Sequence, residues 1–370
     1  MSLPTVIVIG AGVVGAACAW ELASSGCQVR VLDARRPGLG AGRASAGILA
    51  PFIEGHPESA LRELGRESLA LYDSFIERLR AESRLDVLYE RRGTFEVALT
   101  SEEAEALAAA SGMLWRMGVE ARWVPAAVIE DLEPAVTRSA LGALLIPVHA
   151  YVGVTSLTEA AIAAAVAHGA TVYTDVAALD VRATPGGGLS VRTPAETLEA
   201  DAVVMAAGSW SAGILVEGAD PMPVRPIRGQ LLVLEAQPGL IRHVVWGKAG
   251  YLVPWPDGTI LVGATVEDVG FDEQPTDEGR TLLMEAAAAL VPTLGTARLA
   301  DVRVGLRPRG PDDLPVLGRS RAVPGLVYAT AHYRNGVLLA PLTARIVRDL
   351  VLGRPVAALD ALDPSRCGNV

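Results

Sequence analysis

Six residues near the start, Gly10-Ala11-Gly12-Val13-Val14-Gly15, have the types and spacing to receive a pyrophosphate. They read G-x-G-x-x-G: the first glycine permits a tight turn, the second lets the backbone approach phosphate, and the third lets helix pack on strand. The helix that follows would present N–H groups and the positive end of its dipole. Asp33, 18 residues beyond Gly15, closes a second apolar run, where a carboxylate can accept a hydrogen bond from a ribose hydroxyl. Ala34 and Arg35 follow in the same turn. This set predicts a bound dinucleotide, and the turn alone does not separate a flavin from a nicotinamide.

Other chemistries find little support. Cys18, Cys27 and Cys367 have no metal-ligand spacing and suggest no disulfide framework, so reduced packing cysteines are expected. His332 has no serine or cysteine partner in a triad-like pattern and reads as a packing or loop residue. His56, His149, His168 and His243 are scattered, and no metal is expected.

The elements that must position the glycine turn are legible around it. Thr5–Gly10 is a buried strand, a helix runs to about Ser24, and Gln28–Leu32 is a second buried strand. Strand, glycine turn, helix, strand opens a doubly wound α/β sheet. A loop rich in Gly, Ala and Ser (Gly38–Gly47) precedes a helix over Ser59–Glu82. Gly93–Leu99 and Leu141–Val148 read as strands, with a short helix from Ser101 between them. Thr155–Gly169 reads as a helix capped by Thr155 or Ser156, leading into a strand over Thr171–Val181 and, past a glycine turn, Leu189–Thr193. Ala202–Ala207 is again wholly apolar. From Pro223 to Thr265 short strands alternate with turns (Leu231–Leu234, Gly250–Pro254, Ile260–Ala264), and a helix at Asp277–Leu290 would lie on that antiparallel sheet. A buried strand, Gly325–Ala331, and a helix, Gly336–Leu352, end the pattern. Pro341 fits that helix most cheaply if it starts a turn later.

The two textures alternate, which predicts a dinucleotide-binding domain from residues 1–88, 150–213 and 303–370, interleaved with a mixed or antiparallel-sheet substrate domain from 89–149 and 214–302. A nicotinamide enzyme completes its two βαβαβ halves in succession, whereas this chain leaves the first half early; that favours FAD. The 370 residues are about half apolar (51%) and 20% charged, with a formal net charge of −10. That balance gives no general attraction for nucleic acid or acidic lipid, although arginines cluster at 35–36 and 303–309. No signal-peptide pattern and no apolar run of ~18 residues is present, so no membrane association and a cytoplasmic location are expected.

The chain resembles the D-amino-acid oxidase superfamily of FAD-dependent amine oxidoreductases, and within it the bacterial glycine oxidases associated with thiamine biosynthesis. The resemblance is collinear over nearly the whole length. It rests on the glycine turn, Ser45-Ala46-Gly47, Ala206-Ala207-Gly208-Ser209-Trp210, Pro226-Ile227-Arg228-Gly229-Gln230, Tyr251-Leu252-Val253-Pro254 and Leu261-Val262-Gly263-Ala264-Thr265. The most specific segments are Gly305-Leu306-Arg307-Pro308 and His332-Tyr333-Arg334-Asn335-Gly336.

The resemblance implies that Arg307 clamps the substrate carboxylate, with Tyr251 supporting it and Arg334 as a second arginine. It implies that Asp33 binds the ribose, that Ser45, Ala46 and Gly47 border the pyrophosphate and flavin, and that Val176 meets the adenine part through its backbone. Ala207, Gly208, Trp210 and the turn Arg334-Asn335-Gly336-Val337-Leu338 complete the expected cofactor contacts. Ile48 and Val266 stand where one family pattern has methionines and Ala249 where it has a histidine, differences that would alter the pocket's walls rather than its polar clamp. Residues 305–336 contain no cysteine for a covalent flavin link, so the FAD is expected to be noncovalent.

The implied reaction is oxidative deamination of glycine and other small amines such as sarcosine and D-alanine. Hydride would pass from the α-carbon to flavin N5 with O2 as acceptor, giving imine, then 2-oxo acid and ammonia, and hydrogen peroxide. Guanidinium suits the clamp because it can grip a carboxylate through two parallel hydrogen bonds. No base stands out, and none is required if the amine arrives unprotonated. N–H groups of the Arg334–Gly336 turn could meet the negative charge of the reduced flavin. Two alternatives remain open: a D-amino-acid or imino-acid dehydrogenase using another electron acceptor, and a flavoprotein in which FAD is structural. A homo-oligomer, tetrameric by analogy with relatives, is also implied.

Overall fold

The computed structural model describes residues 3–53, 59–357 and 360–370; His56 lies outside the described residues. The first apolar run forms the strand Thr5–Ile9 at the middle of a six-stranded sheet. Its neighbours are Gln28–Asp33 on one side and Ala202–Met205 on the other, both parallel. Thr171–Thr174 and Leu326–Thr330 extend the parallel sheet, and Val316–Arg319 closes it antiparallel.

Alternation along the central strand separates two cores. Val6 and Val8 face the helices, packing with Ala16, Ala19 and Trp20 of Val13–Ser24, Leu157 and Ala161 of Val154–Ala167, and Leu338 and Leu342 of the last helix. Ile7 and Ile9 face the other way, onto Val181, Leu189, Val191 and Leu198. The sheet is thus α/β with helices on one face and a small four-stranded sheet on the other, built from Asp180–Ala183, Leu189–Arg192, Thr197–Ala200 and Leu215–Val216. Cys18 and Cys27 are buried in the helical core as free thiols.

The second large sheet has eight strands, with Leu299–Arg309 at one edge, followed by Arg225–Glu235, Thr259–Gly263, Gly250–Pro254, Val244–Gly247, Thr94–Ala98, Gly142–Ile146 and Arg122–Pro125. All its pairs are antiparallel except Val244–Gly247 with Thr94–Ala98. Along Arg225–Glu235, Leu232 and Leu234 pack under the helix Asp277–Leu290, while Leu231 and Val233 pack toward Ala46 and Tyr151. That second face is the one that meets the parallel sheet's loops.

Several expectations are corrected. The strand expected over Thr171–Val181 is two, Thr171–Thr174 and Asp180–Ala183, because the backbone turns at Asp175 (φ 60°) and the pieces join different sheets. The short strand at Leu231–Leu234 is an eleven-residue strand, Arg225–Glu235, paired along its length with Leu299–Arg309. The domain boundary placed at residue 303 therefore falls inside a strand of the large sheet, and the chain leaves that sheet only after Arg309. Leu215–Val216, placed beyond the boundary at 213, pairs with Asp180–Val181. The helix from Ser101 is sixteen residues long, secured by a capping box between Thr100 and Glu103. Gly153, rather than Thr155 or Ser156, caps Val154–Ala167. No helix among the described residues is long and apolar enough to cross a membrane.

Pro341 lies inside the last helix, Gly336–Val351, which does not start later. Proline lacks the N–H that would reach the carbonyl of Val337. Tyr72, fully buried, supplies the missing donor: its hydroxyl donates to the Val337 carbonyl at 2.5 Å. This fixes the first turn of the helix against Ala60–Ser83, and that turn borders the cleft described below. Tyr72→Phe strands a buried carbonyl and is expected to lower the unfolding free energy by about 1–3 kcal/mol. Unchanged denaturant unfolding of that variant would show that another group serves the carbonyl.

Candidate active site

The glycine turn forms as its residue types require. Gly10 sits at φ 106°, and its N–H donates to the Leu32 carbonyl at 2.7 Å. A Cβ on Gly15 would lie 1.9 Å from the Gly10 carbonyl oxygen, so the helix packs on the turn only because residue 15 is glycine, and a Cβ on Gly10 would meet the Ala206 carbonyl oxygen at 2.4 Å. Gly12 is different: nothing lies within 4 Å of where its Cβ would be. It opens onto free space at the start of Val13–Ser24, whose first turn carries no acidic residue. The first intrahelical bond there is Ala16 N–H to the Gly12 carbonyl at 2.8 Å, which leaves the N–H groups of Val13, Val14 and Gly15 ahead of the ladder.

Asp33 anchors this end. Its carboxylate accepts from Ala11 N–H at 2.6 Å and Arg35 N–H at 2.8 Å. Burial raises its pKa against the pull of those two bonds. Arg35 stacks 4.4 Å over Trp210 and pairs with Glu273 at 2.8 Å, so this rim is braced by a residue from the other sheet's connections.

One cleft of about 390 Å³ runs from this end to the eight-stranded sheet, within the range of small-ligand sites. It is lined by Gly10, Gly12, Val13, Val14, Asp33, Ala34, Arg35, Ser45, Ala46, Gly47, Ala207, Gly208, Trp210, Tyr251, Arg307 and Arg334-Asn335-Gly336-Val337-Leu338. Of the residues predicted from the sequence, only Gly15 and Val176 are not on its wall. Val176 N–H donates to the Asp33 carbonyl at 2.9 Å, and its neighbours Ala177 and Ala178 line the cleft. Ile48 lines the cleft, whereas Val266 is exposed and neither it nor Ala249 reaches the wall.

The far end is built on two glycines whose roles the sequence reading missed. Arg307 lies within the strand Leu299–Arg309, and its guanidinium extends across the neighbouring strand at Gly229. A Cβ on Gly229 would sit 2.2 Å from Arg307 Nη2. Tyr251 extends likewise across Gly263, its partner in the adjacent strand, where a Cβ would fall 2.4 Å from the phenol oxygen. Arg307 and Tyr251 thus converge from strands on either side of the pair Arg225–Glu235 and Thr259–Gly263. Arg307 Nη1 donates to the Thr265 carbonyl at 2.8 Å, and Trp246 flanks the Tyr251 ring with centroids 5.0 Å apart. Neither glycine carries a signature in composition or periodicity; only the pairing register reveals what it accommodates.

The third wall is the turn before the last helix. Tyr333 N–H donates to the Pro308 carbonyl at 2.9 Å, tying this turn to the strand that carries Arg307. The helix ladder begins with Leu339 N–H to the Asn335 carbonyl at 2.8 Å, so the N–H groups of Gly336, Val337 and Leu338 precede it. His332 lines the cleft, but its ring is buried against Thr343 (3.0 Å), and burial lowers its pKa to about 4. It stays neutral near pH 7 and holds the turn. His149 against Thr94, His168 against Glu82 and His243 against Glu133 occupy separate contacts. Among the described residues no cluster of His, Cys, Asp or Glu could hold a metal.

A glycine turn and strand-end carboxylate, opening into a cleft that a second sheet closes with Arg307 and Tyr251, mark a dinucleotide-dependent oxidoreductase. A family model described as FAD dependent oxidoreductase matches residues 5–350, and the chain belongs to that family. It is 34% identical over 349 residues to the glycine oxidase of Geobacillus kaustophilus, covering 94% of this chain and 92% of that protein. The crystal structure of glycine oxidase from the same organism matches with a TM-score of 0.93 over 99% of both chains, at 32% identity. A bifunctional ThiO/ThiG protein of Nostoc sp. is 33% identical over 94% of this chain, which spans 52% of that longer protein.

The residues present fit FAD. The open space at Gly12, two acid-free helix N-termini and the Asp33 carboxylate suit pyrophosphate and ribose, and the Ala46, Ile48 and Leu338 walls suit an apolar ring system. Gly12→Val has room to fold but fills the phosphate approach. It is expected to keep the parent's circular dichroism and purify without flavin colour. A yellow Gly12→Val protein with the parent's flavin content would contradict this placement.

Proposed function

We propose that this enzyme oxidises the Cα–N bond of glycine and comparably small amines such as sarcosine and D-alanine, with O2 as the terminal acceptor. The observation that carries the reading is the convergence of Arg307 and Tyr251 on the same cleft as the dinucleotide cradle. The names of the relatives support glycine as the first substrate to test. FAD, when bound, supplies the two-electron acceptor for the hydride that leaves the substrate α-carbon.

The chain's own residues bind and orient. Arg307 meets the substrate carboxylate with a guanidinium already set by the Thr265 carbonyl, so little ordering is left for the moment of binding. Tyr251 supports the same carboxylate, and Arg334, across the cleft, adds positive charge. Held by its carboxylate, a small amino acid has its α-carbon placed by the clamp, and positioning of this kind accounts for much of an enzyme's acceleration. The amine enters unprotonated, so its electron pair forms the C=N bond as hydride leaves. Water then hydrolyses the imine to 2-oxo acid and ammonia (methylamine in the case of sarcosine), and O2 takes up two electrons and two protons to give hydrogen peroxide. Match to the ThiO/ThiG protein, together with the resemblance to glycine oxidases of the thiamine pathway, supports a supply of this imine to thiazole formation.

In air, glycine is expected to yield peroxide and ammonia in equal amounts; ammonia without peroxide would point to a dehydrogenase with another acceptor. Arg307→Ala is expected to raise the KM for glycine at least about thirtyfold, from the 2–5 kcal/mol typical of breaking a desolvated charge pair. The same variant should leave methylamine, which has no carboxylate, nearly unaffected. Equal losses for both substrates would remove Arg307 from the clamp.

A further inference from the structure

The segment Arg228-Gly229-Gln230 places Gly229 under Arg307 and turns its two flanking side chains to the opposite face of the sheet. There they enter a network with no role in the chemistry described so far. Arg228 is 4% exposed and pairs with two carboxylates, Glu267 through Nε at 3.0 Å and Asp272 through Nη1 at 2.5 Å. Gln230, fully buried, donates from Nε2 to Glu267 and to Thr276, both at 2.8 Å. Glu267 accepts from the Thr265 hydroxyl at 2.5 Å, and that hydroxyl also accepts from Gln230 N–H at 2.8 Å. Backbone bonds between Arg228 and Glu267 run in both directions, at 2.8 and 3.0 Å. Thr265 N–H donates to the Gln230 carbonyl at 3.3 Å, so Thr265 is held through side chain and backbone, and its carbonyl is the group that receives Arg307 Nη1.

We infer that Thr265 and Glu267 are positioning residues for the carboxylate clamp: they fix the Thr265 carbonyl, and that carbonyl fixes the Arg307 guanidinium. The inference rests on the reading of Arg307 as the clamp. A buried arginine neutralised by two carboxylates is costly to assemble merely as packing, whereas a rigid anchor for a second arginine uses all of its bonds. The expected signature is a loss of carboxylate affinity that leaves the flavin and the turnover of bound substrate in place.

Thr265→Val removes the hydroxyl, Thr265→Ser keeps it, and Glu267→Gln keeps the shape of the network without its charge. Acetate, read through the flavin absorbance of the purified holoenzyme, probes the carboxylate site independently of turnover. Thr265→Val is expected to weaken acetate binding about five- to tenfold and to raise the KM for glycine in step, the size of one buried hydrogen bond. The kcat for glycine and the KM for methylamine should stay within about twofold. Thr265→Ser should match the parent. Unchanged acetate affinity in flavin-loaded Thr265→Val protein, or equal weakening in the valine and serine variants, overturns the inference. If Thr265→Val does not fold, Glu267→Gln decides: acetate affinity reduced by at least about threefold supports the anchor, and parental affinity overturns it. Arg307→Ala is measured alongside. Parental acetate binding in that variant defeats the clamp reading itself, whereas weakened binding there with parental binding in Thr265→Val defeats only the positioning role.

Discussion

Arg307 reaches the cleft by lying across Gly229, on a neighbouring strand that offers no side chain, with its Nη1 held 2.8 Å from the Thr265 carbonyl. Tyr251 reaches the same end by lying across Gly263. The pairing register of the eight-stranded sheet sets both arrangements, because a one-residue slip would put a side chain beneath each ring or guanidinium and turn Arg307 and Tyr251 to the wrong face. At the opposite end the same device recurs at Gly12 and Gly15, where missing side chains let a ligand and a helix approach the turn. The site is defined as much by where atoms are absent as by the charged groups around it.

Bringing the two ends together requires that the sheets be tied. The Tyr333 N–H bond to Pro308 joins the last helix's leading turn to the strand that carries Arg307. The connection after Gly263 does the same on the other rim: Thr265 holds Arg307, Phe271 meets the Trp210 ring at 5.8 Å between centroids, and Glu273 pairs with Arg35. Tyr72 compensates the carbonyl that Pro341 leaves open, so the helix can present its N–H groups without fraying at a proline. Apart from the ring contact, each tie is a polar bond that helps set the shape of the cleft.

The dinucleotide half was legible because its signals are local. A glycine turn between strand and helix, and a carboxylate closing the next strand, sit within the first 33 residues and need no tertiary partner to be read. Most of the buried strands and amphipathic helices followed from period and capping in the same way. What stayed hidden depends on distant partners: the floors at Gly229 and Gly263, the long strand pair that carries the chain past residue 303, and Tyr72 opposite Pro341. Val176 shows the limit in the other direction. The resemblance expects a backbone contact from it, and after the turn at Asp175 its immediate neighbours Ala177 and Ala178 line the cleft, an arrangement that no local pattern announces.

The central claim, that a carboxylate clamp and a flavin cradle share one cleft built to oxidise a small amino acid, is tested most directly by anaerobic mixing of the purified yellow protein with glycine, followed at the flavin absorbance band. The account predicts rapid bleaching, with colour returning and peroxide appearing when air is admitted. A flavin that stays oxidised with glycine, sarcosine, D-alanine and D-proline alike would contradict it.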